Sequence, residues 1–167
     1  MILIGGGSRS GKSAAALKML RAAGPRRGFI ATAQAWDDEM RERIASHQQE
    51  RGADIVTIEE PHALAECIAR EAGRFDALVV DCLTLWLSNR MLSECADLEA
   101  EYGNLLDVAV NARTEVILVT NEVGCGIVPD NALARRFRDA AGRLNQQAAE
   151  RAREVHWMMF GIGLRLK

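Results

Sequence analysis

Eight residues near the start of the chain, Gly6-Gly7-Ser8-Arg9-Ser10-Gly11-Lys12-Ser13, leave it little choice of fold. They satisfy the pattern G-x-x-x-x-G-K-[ST]. The apolar Ile2-Leu3-Ile4 precedes them, and a helix-forming run, Ala14-Ala15-Ala16-Leu17-Lys18-Met19-Leu20, follows. Strand, glycine loop and helix in that order make a phosphate cradle. Gly6, Gly7 and Gly11 let backbone N–H groups turn inward and approach phosphate oxygens closely. The helix N-terminus adds partial positive charge. Lys12 has the reach for β- and γ-phosphates, and the Ser13 hydroxyl suits Mg²⁺. A glycine-rich turn with a chance lysine is the plain alternative, and the context weighs against it. The expectation is a nucleoside triphosphate site.

The remaining chain suits one domain, 1–167, built on this loop. A length of 167 residues, 49% hydrophobic and 26% charged, supports a full core in a globular protein. A net charge of −2 argues against general nucleic-acid binding. Cys67, Cys82, Cys95 and Cys125 are widely spaced with no C-x-x-C pair, so neither zinc nor a redox motif is expected. Reduced, mostly buried thiols of a cytoplasmic protein are the simpler reading. No apolar run has the length of a membrane span, and a core strand at the very start leaves no room for a signal peptide.

Strand and helix patterns alternate. Helices are expected over 14–23, stopped by Gly24-Pro25, over 37–50 with acids in the first turn, and over 61–72 with Pro61 at the first helical position. Residues 83–113 read as mostly helical with a break near 95–97, and Asp130 is placed to cap a helix to about Arg153. Strands are expected over 28–32, 54–58, 76–82 and 115–120, then over 154–160 and 164–166, joined through Gly161 and Gly163. The runs 76–82 and 115–120 are apolar almost throughout, as parallel strands buried on both faces are. The fold class is therefore α/β: a three-layer phosphate-loop NTPase fold, mostly parallel sheet with helices on both faces. Ligands of such sheets sit at the carboxyl ends of the strands.

Asp81 ends the most apolar of these strands. Apolar residues followed by an acid form the second half of a phosphate-loop Mg²⁺ site, with Ser13 and Asp81 as the metal-holding pair. Thr32, also at a strand end, has two even readings: a nucleotide contact or the start of a turn. His47 shares a helix face with Met40 and Ile44. A neutral imidazole there is a competent nucleophile for an α-phosphorus, although by pattern alone a surface or half-buried histidine is the default. His62 and His156 have nothing beside them in sequence that makes chemistry. Residues 121–129 read either as a tight strand-to-helix loop or as a substrate loop at the sheet edge. Arg135, Arg136, Arg138 and Arg143 beyond it read first as a solvated basic face, and second as phosphate ligands. No Asn-Lys-x-Asp occurs, and the single Asp-x-x-Gly, Asp139 to Gly142, falls inside an expected helix, which disfavours a switch-type GTPase.

Taken together, several segments resemble one family over essentially the whole chain. They are the octet Gly6 to Ser13, Ile30-Ala-Thr-Ala-Gln34, Asp37-Asp-Glu-Met40, Arg43-Ile-Ala-Ser-His47, Thr120-Asn-Glu-Val-Gly-Cys-Gly-Ile-Val-Pro129, Ala134 to Asn145 and Gly161-Ile-Gly163. The family is the bifunctional adenosylcobinamide kinase/adenosylcobinamide-phosphate guanylyltransferases of cobalamin biosynthesis, and 121–129 is the most distinctive stretch.

The resemblance implies two reactions: phosphorylation of the aminopropanol hydroxyl of adenosylcobinamide by ATP or GTP, then transfer of GMP from GTP to that phosphate through a GMP-histidine intermediate. It places the nucleophile on His47 and assigns Lys12 to catalysis. Guanine-nucleotide contacts fall on Gly6 to Ser13, on Ala31, Thr32 and Ala33, on Gln48, Gln49, Glu50 and Arg51, and on Glu59 and Asp81. It further implies a homotrimer, while Mg²⁺ is expected from Ser13 and Asp81 as above, and charge and run length argue against a nucleic-acid or membrane partner. Ala33 stands where a serine is frequent in the family, and Ser46 where some relatives have a second histidine. Neither removes the nucleophile. Two rivals remain: a phosphate-loop small-molecule kinase with no covalent nucleotidyl step, and a nucleotide-dependent regulatory module without turnover.

Overall fold

A computed structural model describes residues 1–35, 37–93 and 97–167, and for Arg43, His47 and Glu50 the backbone alone. Among the described residues, thirteen elements follow the phosphate-loop order: β1 (Ile2–Gly6), α1 (Lys12–Ala23), β2 (Arg27–Ala31), α2 (Asp38–Arg51), β3 (Val56–Glu59), α3 (Leu64–Glu71), β4 (Ala77–Asp81), α4 (Leu83–Leu92), α5 (Leu98–Asn111), β5 (Glu115–Val119), α6 (Ala132–Arg151), β6 (Glu154–Met159) and β7 (Ile162–Arg165). One seven-stranded sheet runs β3-β2-β4-β5-β1-β6-β7. Every pairing is parallel except the closing β6–β7 hairpin.

Side chains alternate across the sheet as the period of a strand requires. Leu78, Val80, Val116 and Leu118 face α3, α4, α5 and α6 in one core, while Val79, Ile117, Val119 and Ile4 face α1 in the other. Burial on both faces explains why these strands are apolar along their whole length. The expected three layers are present.

Several boundaries moved for local reasons. Strand β3 begins at Val56 rather than Asp54, because the Asp54 carboxylate is drawn to Arg27 (2.6 Å) and Arg21 (3.7 Å). Helix α3 begins at Leu64 rather than Pro61. The Glu60 carboxylate accepts the N–H groups of His62 (3.1 Å) and Ala63 (2.8 Å), so a capped turn stands where a first helical turn was expected. Asn131, not Asp130, caps α6 by accepting the Ala134 N–H at 2.7 Å. Asp97 caps α5 in the same way through the Ala100 N–H; the rest of the expected 95–97 break, with Cys95, lies outside the described residues. Gly163 belongs to β7, and the hairpin turns on Phe160 and Gly161, both at positive φ. Cys67 and Cys82 are buried, whereas Cys125 is exposed on the loop 121–129.

Candidate active site

The carboxyl ends of five strands form a row. Ala31 pairs with Glu59 on one side and Asp81 on the other, Asp81 pairs with Val119, and Val119 pairs with Ile4. From the end of this row β1 runs into the glycine loop. Gly6 has φ +151°, and a Cβ there would come within 2.5 Å of the Met158 carbonyl oxygen. Gly11, at φ +97°, is the N-cap of α1, and a Cβ there would come within 3.1 Å of the Gly161 Cα. Only glycine meets both demands, positive φ and close backbone approach. The terminal hairpin braces the loop directly, since Gly161 N–H donates to the Ser10 carbonyl at 3.0 Å.

Within the cradle the Lys12 ammonium donates to the Gly7 carbonyl at 2.6 Å and lies 3.4 Å from the Ser10 hydroxyl. Lys12 is only 7% exposed, so its charge is held over the loop. Ser13, in the first turn of α1, donates its hydroxyl to Asp81 Oδ2 at 2.7 Å. These two oxygen groups are hard donors, as Mg²⁺ demands, and among the described residues no cluster of three or more His, Cys, Asp or Glu side chains converges. Two protein oxygens suit a cation that arrives with a triphosphate and keeps several waters, so the residues fit the expected metal.

Thr32 resolves toward structure. Its side chain is fully buried, and Oγ1 donates to the Cys82 carbonyl and accepts the Cys82 N–H, both at 2.8 Å. That clamp fixes the residue after Asp81 and commits the hydroxyl. Helix α4 supplies a second bracket that sequence reasoning missed. Asn89 Nδ2 donates to the carbonyls of Thr32 (2.9 Å) and Pro61 (3.1 Å), and Trp86 Nε1 donates to the His62 carbonyl (2.9 Å). One asparagine thereby ties the segment after β2, at Thr32, to the segment after β3, at Pro61. Asn89 lies three residues after Trp86 and two after Leu87 in α4, and a polar residue buried beside such core side chains needs hydrogen-bond partners.

The loop 121–129 leaves β5 beside the glycine loop, where Glu122 N–H donates to the Gly6 carbonyl at 3.0 Å. Polar side chains fasten its root: Asn121 N–H donates to Thr84 Oγ1 at 2.7 Å, and Thr120 Oγ1 donates to Asn145 Oδ1 at 2.7 Å. Arg138 Nη2 donates to the Gly124 carbonyl (2.5 Å), and Arg135 Nη1 donates to the carbonyls of Pro129 and Asp130. Arg143 pairs with Glu99 at 3.1 Å. Two of the four arginines thus organise the loop rather than forming a bare basic face. Cys82 is no nucleophile: burial, then the adjacent Asp81 charge, pushes its thiol up to about 12.

The resemblance-derived contacts divide. Gly6 to Ser13, Ala31, Glu59 and Asp81 share the carboxyl edge, and Ala33 follows directly. Arg51 does not join them, and Gln48 and Gln49 lie in the last turn of α2 before it. Arg21, in the last turn of α1, donates to the Arg51 carbonyl at 3.0 Å, and the Arg51 guanidinium is buried 4.2 Å from the Phe29 ring centroid. Arg21 follows Lys12 by nine residues, so this contact lies about 14 Å along α1 from the glycine loop. His47 sits one helical turn before Arg51. The side chains of His47 and Glu50 lie outside the described residues. His62 Nε2 is 3.2 Å from Gln34 Nε2, and His156 Nε2 is 3.2 Å from Glu154 Oε2, away from the loop.

Solved structures share the fold. The RadB recombinase superposes with a TM-score of 0.55 at 17% identity, covering 93% of this chain and 72% of its own. An ATPase from the type III secretion system of pathogenic bacteria gives 0.59 at 14% identity, covering 98% and 56%. Closer relatives exist in sequence. The bifunctional adenosylcobalamin biosynthesis protein CobP of Pseudomonas aeruginosa is 45% identical over 168 residues, 99% of this chain and 96% of the relative. The bifunctional adenosylcobalamin biosynthesis protein CobU of Escherichia coli K12 is 38% identical, covering 100% and 99%. The model of the cobinamide kinase / cobinamide phosphate guanyltransferase family matches residues 2–166. With the phosphate cradle, the paired Ser13 and Asp81 and a match from end to end, the chain belongs to that family.

Proposed function

We propose that residues 1–167 act as one bifunctional enzyme of cobalamin biosynthesis. In the first reaction ATP or GTP phosphorylates the aminopropanol hydroxyl of adenosylcobinamide. In the second, GTP donates GMP to the new phosphate, giving adenosylcobinamide-GDP and pyrophosphate. The observation that carries this reading is the Ser13–Asp81 hydrogen bond beside the Lys12 cradle, in a chain of this family.

Phosphoryl transfer depends mainly on position and charge neutralisation. The amides of Gly6 to Ser13 grip the β- and γ-phosphates. Lys12 exchanges its Gly7 carbonyl for phosphate oxygens, and Ser13 and Asp81 would hold a divalent cation. A bound Mg²⁺ would add charge neutralisation at the β- and γ-oxygens.

In the nucleotidyl reaction the His47 imidazole attacks the α-phosphorus and pyrophosphate leaves. An oxygen of the substrate phosphate then displaces His47, so two in-line steps replace one. Because Arg51 is anchored near the far end of α1, this reading requires α2 to carry His47 toward the α-phosphate. That same placement favours a second reading, a kinase with no covalent step.

The homotrimer implied by resemblance finds support in β7, a sheet edge with Ile162 73% and Leu164 61% exposed and Phe160 at its turn 90% exposed. No helix among the described residues is long and apolar enough to cross a membrane, which accords with a cytoplasmic site of action. The test is to supply adenosylcobinamide and GTP and resolve the corrinoid products. Both the phosphate and the GDP derivative are expected; formation of neither contradicts the proposal.

A further inference from the structure

A kinase that phosphorylates an alcohol must dispose of the hydroxyl proton, and none of the residues placed so far does so. We propose that Glu122 accepts it, an inference that rests on the kinase reading above. Strand β5 lies between β1 and β4, so the first residues beyond it emerge between the glycine loop and Asp81. The Glu122 N–H, bonded to the Gly6 carbonyl at 3.0 Å, roots the residue at the first glycine of the cradle.

Its carboxylate is positioned but not consumed. Oε1 accepts the Gly124 N–H, and the Gly124 carbonyl is held in turn by Arg138 of α6. Among the described residues no other hydrogen bond and no ion pair reaches this half-buried carboxylate. The other acids of the sheet edge are engaged or distant. Asp81 takes the Ser13 hydroxyl, Glu60 takes the N–H groups of His62 and Ala63, and Glu59 ends β3, four places along the sheet from β1.

The balance is simple. The alcohol oxygen bonds to the γ-phosphorus, the bond from that phosphorus to the β,γ-bridging oxygen breaks, and the nucleoside diphosphate leaves. The hydroxyl proton passes to Glu122 and then to water. The second reaction makes no such demand, because its acceptor is a phosphate monoester with oxygens already ionised. Glu122 therefore serves one reaction of the two.

The test uses the full chain carrying Glu122→Gln, whose amide oxygen still accepts the Gly124 N–H. Three quantities are measured: phosphorylation of adenosylcobinamide, GMP transfer to supplied adenosylcobinamide phosphate, and GTP affinity. The kinase kcat is expected to fall about 10²- to 10⁴-fold, the range for loss of a general base, with transfer and affinity close to wild type. Should the glutamine variant not fold, Glu122→Asp is expected to give a smaller kinase loss with the same sparing of transfer. A wild-type kinase rate in Glu122→Gln overturns the inference, and so does a parallel loss of both reactions, which marks a loop role alone. A wild-type protein that phosphorylates no adenosylcobinamide sinks the proposed function itself, and this inference with it.

Discussion

The Ser13 hydroxyl donates a 2.7 Å hydrogen bond to Asp81 Oδ2, joining the first residue after the loop lysine to the last residue of β4. This one contact places two hard oxygen groups where a divalent cation would meet a triphosphate cradled by the loop. Replacing Asp81 with Asn keeps an acceptor for Ser13 but removes the charge. The variant is expected to need more Mg²⁺ for half-maximal activity and to lose about a hundredfold or more in kinase kcat/KM, since metal-borne charge stabilisation is worth several kcal/mol. A Mg²⁺ titration of initial rates reads both. An unchanged midpoint would remove Asp81 from the metal site.

Gly6 is under the tightest steric demand in the loop. Ala at this position must adopt φ near +151° and come within 2.5 Å of the Met158 carbonyl oxygen. Such strain costs about 1–3 kcal/mol. Thermal melts are expected to show a Tm lower by about 2–12 °C, at about 2–4 °C per kcal/mol for a chain of this size. Gly7→Ala is the control, because its added methyl meets nothing within 4 Å. Equal melting of the two variants would contradict the bracing of the loop by β6 and β7.

Thr32 separates structural from ligand-binding roles. Valine in its place fits the volume but strands the buried Cys82 N–H, while the Cys82 carbonyl keeps the Trp86 N–H at 3.2 Å. Leaving buried polar groups unpaired costs about 1–3 kcal/mol. Urea unfolding of Thr32→Val should register that loss, while calorimetric GTP affinity stays near wild type. A selective drop in affinity at unchanged stability would return the hydroxyl to the nucleotide.

Acid sensitivity is expected away from the site. The buried Glu71 accepts a hydrogen bond from Arg70 at 2.8 Å and is also paired with Arg74; the Arg70 bond first, then the Arg74 bond, hold its carboxyl below the ordinary value of 4.5 against the opposing effect of burial. A depressed folded pKa contributes stability that is complete above 4.5 and fades as pH falls through the lowered value. The stability gap between wild type and Glu71→Gln should therefore be widest near neutrality and close progressively below pH 4.5. Urea midpoints across that window check the sign, and a gap that widens with acid would reverse it.

Much of this molecule was legible in its residues because each signal was local. The loop octet, the apolar runs ending in Asp81 and Val119, and the acids of the first turn of α2 are statements about neighbours in sequence. The missed features are long-range. Asn89 bonds to carbonyls 57 and 28 positions away, and the Ser10 carbonyl finds its donor at Gly161. Helix α3 starts late because the Glu60 carboxylate caps a turn at His62 and Ala63, a contact that Pro61 masks in the sequence. Nor does periodicity reveal that β5 inserts between β1 and β4, the fact that brings Glu122 to the cradle. The resemblance located Gln48 to Arg51 by homology of segment, whereas packing holds that end of α2 on Phe29 and Arg21.

The central claim is that one phosphate cradle serves two chemistries, with His47 as the covalent carrier in the second. Incubation with GTP labelled at its α-phosphate, followed by acid and alkali treatment of the denatured protein, tests it most directly. The account predicts an acid-labile, alkali-stable label on the wild type that His47→Ala lacks while still phosphorylating adenosylcobinamide. Labelling of His47→Ala at the wild-type level, or formation of adenosylcobinamide-GDP by that variant at the wild-type rate, would contradict it.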